Sequence, residues 1–285
     1  MDLLRGKRVI VTGPTSGIGK QIALKLGDRG AALVLGCRDV ARGEQTAHEI
    51  LGDINADDIA VIHLDTSNQQ SIREFAREYH KRYSRLDVLV NNAGVNRAEQ
   101  PRQDSIDGIE LTFATNVLGY FLLTRELVGL LQASAPSRIV NVASTFASDV
   151  DLDDVQFGHR PYDGMKAYAQ SKACDRMLTW TFARRLQGSG VTANAMAPGL
   201  VPGTNLFAKM SKETRSALEQ RGGYSIAQGA DTAVWLASSP EVEGVTGKFF
   251  TQRQEVACEF RNVEAEEKLW DICDSLVRPI DEATV

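Results

Sequence analysis

Cysteine is scarce in this chain, with four among 285 residues and no CxxC pair. That excludes a disulfide-stapled secreted framework, and Cys37, Cys174, Cys258 and Cys273 are expected to be reduced and structural. Histidine is equally scarce. His48, His63, His80 and His159 stand far apart, so no metal site is expected. No apolar run approaches the roughly 20 residues that a membrane span needs. Met1 to Arg8 lead directly into a strand-like run without a signal-peptide pattern, and a cytoplasmic location is the expectation. Basic charge is not in excess: a net charge of −5, with both signs interspersed, offers nucleic acid no broad attraction. Linkers, low-complexity stretches and internal repeats are missing as well, which argues for one domain over residues 1–285.

What is present is an ordinary globular composition, 43% hydrophobic and 24% charged. Its apolar residues alternate between short β-branched runs and longer amphipathic stretches. Strands are expected at Arg8 to Val11, Ala32 to Leu35, Ile59 to Leu64, Val88 to Val90, Arg138 to Val142, Val191 to Met196 and Lys248 to Thr251. Helices are expected at Ile18 to Arg29, Val40 to Leu51, Gln70 to Tyr83, Lys166 to Leu186 and Ile226 to Ala237, with one long helix from Ile106 to Leu131 and another at the C-terminus. Such alternation predicts a single α/β domain, a doubly wound parallel sheet with helices on both faces. Beyond Gly203 the pattern loosens, and a small helical substrate cap is expected at about 203–225.

The first strand runs into Thr12-Gly13-Pro14-Thr15-Ser16-Gly17-Ile18-Gly19, which opens the first helix. Glycines permit a tight turn and close approach of a ligand, and a helix N-terminus favours an anionic pyrophosphate. The spacing is GxxxGxG rather than GxGxxG, and a plain βα turn is the bland alternative. The second strand ends in Cys37-Arg38-Asp39. An acidic side chain there would bind ribose hydroxyls and repel a 2′-phosphate; Cys37 does neither, and Arg38 can pair with the phosphate. This favours NADP(H) over NAD(H), while Asp39 can instead cap the next helix.

Tyr168 and Lys172 are four residues apart on an expected helix, so they share one face. An ammonium beside a phenol favours phenolate and makes tyrosine a usable general acid/base. Ser144 follows the fifth strand, at the sheet edge where doubly wound folds bind ligands. Alone, YxxxK is mostly a surface tyrosine and a solvated lysine.

In combination, these features resemble the short-chain dehydrogenase/reductase family, a Rossmann-type fold, over most of the chain. Thr12 to Gly19 match its TGxxxGIG motif, and Asn91-Asn92-Ala93-Gly94 its NNAG motif. Asn116, Ser144, Tyr168 and Lys172 match its catalytic tetrad, and Pro198-Gly199 its PG motif. The resemblance implies that Tyr168 exchanges the proton, Lys172 lowers its pKa and binds the nicotinamide ribose, Ser144 orients the substrate oxygen and Asn116 holds a water-linked relay. It implies cofactor contacts from Gly13, Thr15, Ser16, Gly17, Ile18, Gly19, Asp65, Asn92, Ala93, Gly94, Val201 and Thr204. Pro198 to Thr204 carries one position more than the usual PGxxxT, which loosens the role of Thr204. The resemblance implies a homodimer or homotetramer paired through helices at the Asn116 and Lys172 levels, although some members of the family are monomers.

Cys37-Arg38-Asp39, the 24 positions separating Ser144 from Tyr168, and Glu267-Lys268-Leu269-Trp270 are similar to the retinol dehydrogenase and protochlorophyllide reductase branch. That branch implies a bulky apolar carbonyl or alcohol substrate. The residues from Ser148 to Met165, with Asp149, Asp151, Asp153 and Asp154, read either as a solvated loop or as a pocket wall. Leu206, Phe207 and Met210 offer an apolar face on the cap, and Phe249 and Phe250 read as core. Two other functions remain open: an NADP(H)-binding regulator on the same fold, and reduction of an activated C=C bond.

Overall fold

In the computed structural model, residues 3–53, 59–208 and 210–277 are described. The β-branched runs form β1 (Arg8–Thr12), β2 (Ala32–Cys37), β3 (Ile59–His63), β4 (Val88–Asn91), β5 (Ser137–Val142), β6 (Val191–Ala197) and β7 (Phe249–Thr251). A further strand, β8 (Gln254–Glu255), completes one sheet in the order β3-β2-β1-β4-β5-β6-β7-β8. Pairing is parallel from β3 through β7 and antiparallel only between β7 and β8.

Helices α1 (Gly17–Gly27), α2 (Val40–Asp53) and α8 (Ile226–Ser238) cover one face. The other is covered by α3 (Gln69–Arg82), α5 (Gly119–Ala133), α6 (Gly164–Arg185) and α9 (Val263–Leu276). Successive side chains of a strand point to opposite faces. Ile10, Val34 and Leu89 accordingly join one core, while Val9, Val11, Leu33 and Val90 join the other. Burial on both sides explains the unbroken apolar strands, each enclosed aliphatic side chain contributing roughly 1.5–3 kcal/mol. Phe249 and Phe250 divide between the two cores, as core residues should. Trp270 of α9 meets Phe121 and Phe182 edge-on, with ring centroids 4.8 and 5.0 Å away, and so clamps α9 against α5 and α6. No helix among the described residues is long and apolar enough to cross a membrane.

Two expectations need correction. The long helix does not begin at Ile106, which is 80% exposed in an irregular segment. It starts as a short turn, α4 (Leu111–Phe113), capped by the Glu110 carboxylate, passes through a π turn at Ala114–Leu118, and only then becomes α5. Residues 112–124 are buried all round, so no polar stripe reveals the phase shift that a π turn introduces. The strand β8 was also unforeseen. Its turn residues Gln252 and Arg253 both adopt positive φ, 50° and 60°, without the usual Asn or Gly. Arg253 holds that turn by pairing with Asp231 and by donating its amide to the Thr232 hydroxyl.

At the N-terminal edge of the sheet lies a buried carboxylate, Asp87. It accepts from the Arg8 amide at 2.9 Å, from Arg85 at 2.7 Å through two nitrogens, and from Lys7 at 3.0 Å. Burial pushes its pKa up, but these donors outweigh burial and hold it below the usual carboxylate range. Its stabilising contribution is therefore present above the unfolded pKa and lost as pH falls through the folded one. Asp87→Asn should cost about 2–4 kcal/mol in urea melts at pH 7, with the difference from wild type shrinking below about pH 4.

Candidate active site

The order of strands reverses between β1 and β4, and the loops at their C-terminal ends face one another. The Thr12 hydroxyl sits between them. It accepts from the Asn92 and Ala93 amides, both at 2.9 Å, while Asn92 Nδ2 donates to the Thr12 carbonyl at 2.8 Å and to the Gly13 carbonyl at 3.3 Å. The glycine-rich turn is thus tied to the NNAG segment. Gly13 and Gly17 take positive φ, 65° and 54°, a region other L residues avoid. A Cβ on Gly19 would stand 2.2 Å from the Gly13 carbonyl. Ser16 precedes α1 in extended conformation without a side-chain capping bond, and the first turn carries no acidic residue. Thr15, Ser16 and Ile18 are half-buried around this helix start, whose backbone amides and dipole suit an anion.

The segment after β6 closes the opposite side of that turn. Pro198 and Gly199 lead out of the strand, and Gly199, with φ 74°, lets the Tyr224 ring approach to where a Cβ would be 2.5 Å away. Val201 is buried against α8. Thr204, despite the extra position before it, reaches the phosphate loop: its methyl would lie 3.4 Å from a Cβ on Gly17. Its neighbour Asn205 donates to the Ser16 hydroxyl at 3.1 Å.

Arg38 and Asp65 stand on the far limb, at the ends of β2 and β3. Arg38 is exposed, and Cys37 before it is buried, its thiol pushed up to about 11 by burial and by Asp39. Asp39 takes the capping role, accepting from the Arg42 amide at 3.0 Å. Asp65 also makes a local turn, accepting from the Ser67 amide and hydroxyl at 2.9 and 2.7 Å. Asn68, not Asp65, caps α3.

Tyr168 and Lys172 occupy one face of α6, 6% and 4% exposed. Ser144 lies just past β5, and its hydroxyl is near enough to the Tyr168 phenol to favour the phenolate. Lys172 Nζ donates to the Val142 carbonyl at 3.1 Å and to Asp175 at 2.7 Å. Asn116, in the π turn, accepts from the Val95 amide at 2.9 Å and donates to the Val95 carbonyl and the Ser171 hydroxyl, both at 3.0 Å. Gly94 completes the circle: a Cβ there would be 3.3 Å from Asn116 Oδ1 and 3.8 Å from Lys172 Nζ. Ser144, Tyr168, Lys172, Asn116 and Gly94 therefore converge from separate segments. Lys172 does pull the phenol down, but the expectation that its net ionisation lies below that of free tyrosine is corrected. Burial raises the Tyr168 phenol above its ordinary value, and the pull of Lys172 and the Ser144 hydroxyl offsets this only in part, with Asp175 adding to the rise.

Sequence reasoning passed over four neighbours of this cluster. Phe146, half-exposed, stacks on the Tyr168 ring at 6.3 Å. Ser171 bridges Asn116 to the Tyr168 carbonyl. Asp175 and Arg176 are buried on α6, and Arg176 reaches the Ser144 carbonyl. The available signal was an Asp-Arg pair inside the stretch Ala173 to Leu178, whose other residues are small or apolar. The acidic segment after Ser148 is packed rather than simply solvated. Asp154 accepts from the Gly158 and His159 amides, Arg160 covers Phe157 at 3.9 Å, and Tyr162 donates to Glu110 at 3.0 Å. An open cavity of about 870 Å³ lies between it and residues 98–102, but neither Ser144 nor Tyr168 lines it. The cap forms α7 (Lys212–Gln220), and Ser211 and Thr214 both donate to the exposed Glu99 of the segment after β4.

The short chain dehydrogenase family is matched over residues 7–215, and the chain belongs to that family. Its relatives also bear out the branch resemblance. Retinol dehydrogenase 13 of Homo sapiens is 40% identical over 93% of this chain and 82% of its own length. Retinol dehydrogenase 14 of Homo sapiens is 36% identical over 96% and 87%. Among solved structures, an uncharacterized protein from Mycobacterium Paratuberculosis superposes with a TM-score of 0.77 at 28% identity, covering 96% of this chain and 94% of that one. The Pseudomonas aeruginosa RhlG/NADP active-site complex superposes with 0.70 at 26% identity, covering 87% and 94%.

The family uses nicotinamide cofactors, and the cradle formed by Gly13, Gly17 and Gly19 fits a pyrophosphate that must approach backbone closely. A single added methyl tests this. Gly19→Ala forces its Cβ against the Gly13 carbonyl, a clash worth roughly 1–3 kcal/mol. Calorimetric titration with NADPH should show affinity at least about tenfold weaker, with the circular dichroism of the sheet retained. Unchanged affinity would remove the loop from the nucleotide site.

Proposed function

We propose that this protein is an NADP(H)-dependent oxidoreductase that moves a hydride between nicotinamide and a carbonyl or alcohol carbon. The observation that carries this reading is the convergence of Ser144, Tyr168 and Lys172 in a buried cluster beside the glycine-rich turn. When bound, the nicotinamide supplies or accepts the hydride. The chain's own residues manage the proton. Tyr168 donates its phenolic proton to a carbonyl oxygen during reduction and takes it back during oxidation. The Ser144 hydroxyl bonds the same substrate oxygen and holds it within reach of the phenol. Lys172 lowers the cost of the phenolate and offers an ammonium to the nicotinamide ribose. Asn116 keeps Val95 and Ser171 in register, and the π turn supports a relay role, since the Gly119 amide bonds Ala114 five residues back and displaces a carbonyl from the α-helical ladder.

The remaining site residues follow from their positions. Gly13, Thr15, Ser16, Gly17, Ile18 and Gly19 take the pyrophosphate, with Thr204 against Gly17. Asn92, Ala93 and Gly94 line the cofactor's path, Asp65 the adenine, and Pro198, Gly199 and Val201 the carboxamide side. Arg38 favours the 2′-phosphate, because it is exposed and no acidic side chain occupies position 37. A bulky apolar substrate suits the half-exposed Phe146 beside Tyr168 and the partly exposed Leu206 and Phe207 on the cap. The names of the relatives, retinol dehydrogenases, support the same substrate class.

Two substitutions test the reading. Arg38→Ala should raise the Michaelis constant for NADPH far more than for NADH, since one charge-assisted phosphate contact is worth on the order of 1.5–3 kcal/mol. Equal effects on both cofactors would refute the assigned role. Tyr168→Phe keeps the ring but loses the proton, so single-turnover hydride transfer should fall by roughly 100-fold or more while NADPH affinity stays put. Transfer at the wild-type rate would show that Tyr168 is not the acid/base.

A further inference from the structure

Helix α6 buries a carboxylate that the proton transfer does not use. Asp175 is 1% exposed and lies one turn beyond Lys172. Its Oδ2 accepts from Lys172 Nζ at 2.7 Å, and its Oδ1 has no hydrogen-bond partner among the described residues. The same ammonium makes one further bond, to the Val142 carbonyl. Lys172 is thus the one hydrogen-bond partner of this buried carboxylate's oxygens among the described residues. A carboxylate placed only to stabilise the helix would not be left so incompletely satisfied.

We propose that Asp175 is a positioning residue, the counter-ion that holds Lys172 in place and divides the ammonium's charge between its own carboxylate and the Tyr168 phenol. This rests on reading Tyr168 and Lys172 as the proton-transfer pair. Opposite charges a few ångströms apart in a water-poor interior attract strongly, and what the ammonium gives to one anion it withholds from the other. The surrounding groups fit this division. On α6 itself, Lys172, Tyr168, Cys174 and Arg176 face or flank the carboxylate; Tyr120 approaches from α5 and Cys273 from α9. Burial, with Asp175 adding to it, keeps Tyr120, Cys174 and Cys273 protonated. Arg176 is engaged elsewhere, with the Ser144 carbonyl and, at 3.9 Å, the Phe249 ring. Lys172 is left as the cation that neutralises Asp175 directly. Burial pushes the Asp175 carboxyl up to about 6 against the opposing pull of Lys172 and Arg176, so near neutral pH the carboxyl is mostly ionised.

The consequence is a phenol less acidic than Lys172 alone would make it. Asp175→Asn removes the charge and keeps an oxygen for Lys172 to bond. The midpoint of the pH profile of kcat/KM for alcohol oxidation should then move about one pH unit toward acid. In ¹³C-tyrosine NMR titration of the purified protein, the Tyr168 resonance, assigned by its loss in Tyr168→Phe, should titrate lower by a similar amount. Asp175→Ala, which also deletes the acceptor, should shift the midpoint the same way and in addition raise the Michaelis constant for NADP. A midpoint that stays in place or moves toward alkali in both variants overturns the proposal, because losing a merely structural carboxylate changes rate without lowering the phenol's pKa. Tyr168→Phe, measured alongside, separates the two layers. If Tyr168→Phe is inactive and the Asp175 variants leave the midpoint unmoved, only the counter-ion role falls. If Tyr168→Phe keeps turnover, the underlying acid/base reading falls with it.

Discussion

One hydroxyl joins the two halves of the site. Thr12 ends β1 and accepts two amides from the segment that ends β4. These strands are neighbours across the point where sheet order reverses, so a crevice opens there between diverging loops. Without a tie, the glycine-rich turn and the NNAG segment would be free to separate. The Thr12 hydroxyl and the Asn92 amide make four hydrogen bonds across that seam and set its width. Each bond contributes only about 1 kcal/mol net, but all of them bear on one distance. Gly94 then passes close to Asn116 and Lys172, so the same seam carries its register into the proton-transfer cluster.

Behind that cluster the chain accepts an expensive arrangement. Lys172, Asp175 and Arg176 are all buried on one helix, and two of the three retain a side-chain atom without a hydrogen-bond partner. Charged groups of this kind in an apolar interior do not favour the folded state unless they are paired. The large core on the same face, with Trp180, Phe121 and Phe182 around α6 and Trp270 closing it from α9, offsets the cost. The helix that holds Tyr168 is therefore rigid because of its apolar side and reactive because of its polar one.

How much of this was legible in the sequence depended on which physical signal each feature leaves. The strands and the phosphate turn were readable because burial on both faces demands unbroken apolar runs and a tight turn demands glycine, as at Gly13 and Gly17. Ser144, Tyr168 and Lys172 were readable through ordered motifs. The π turn around Asn116 was not, since the helix there is buried on every side and has no polar stripe to show the change of phase. The β8 hairpin was not, because Gln252 and Arg253 adopt positive φ without turn-forming residues and are held by Asp231 and Thr232, some twenty positions away. The direction in which Tyr168 is shifted also escaped, because the sequence shows the neighbouring cation at Lys172 but not how deeply both are enclosed or that Asp175 competes for it.

The attachment of the cap to Glu99 bears on how such a protein changes over evolutionary time. The cap helix carries no buried residue, and its tie to the segment after β4 is made of exposed hydroxyls and an exposed carboxylate. Contacts of that kind are individually cheap to remake in water. Helix α7 is thus joined to the segment after β4 through replaceable surface contacts, while Tyr168 and Lys172 sit on a helix whose burial resists change. Substitutions at Glu99, Ser211 and Thr214 are therefore tolerated by the fold far more readily than any in the buried stretch of α6.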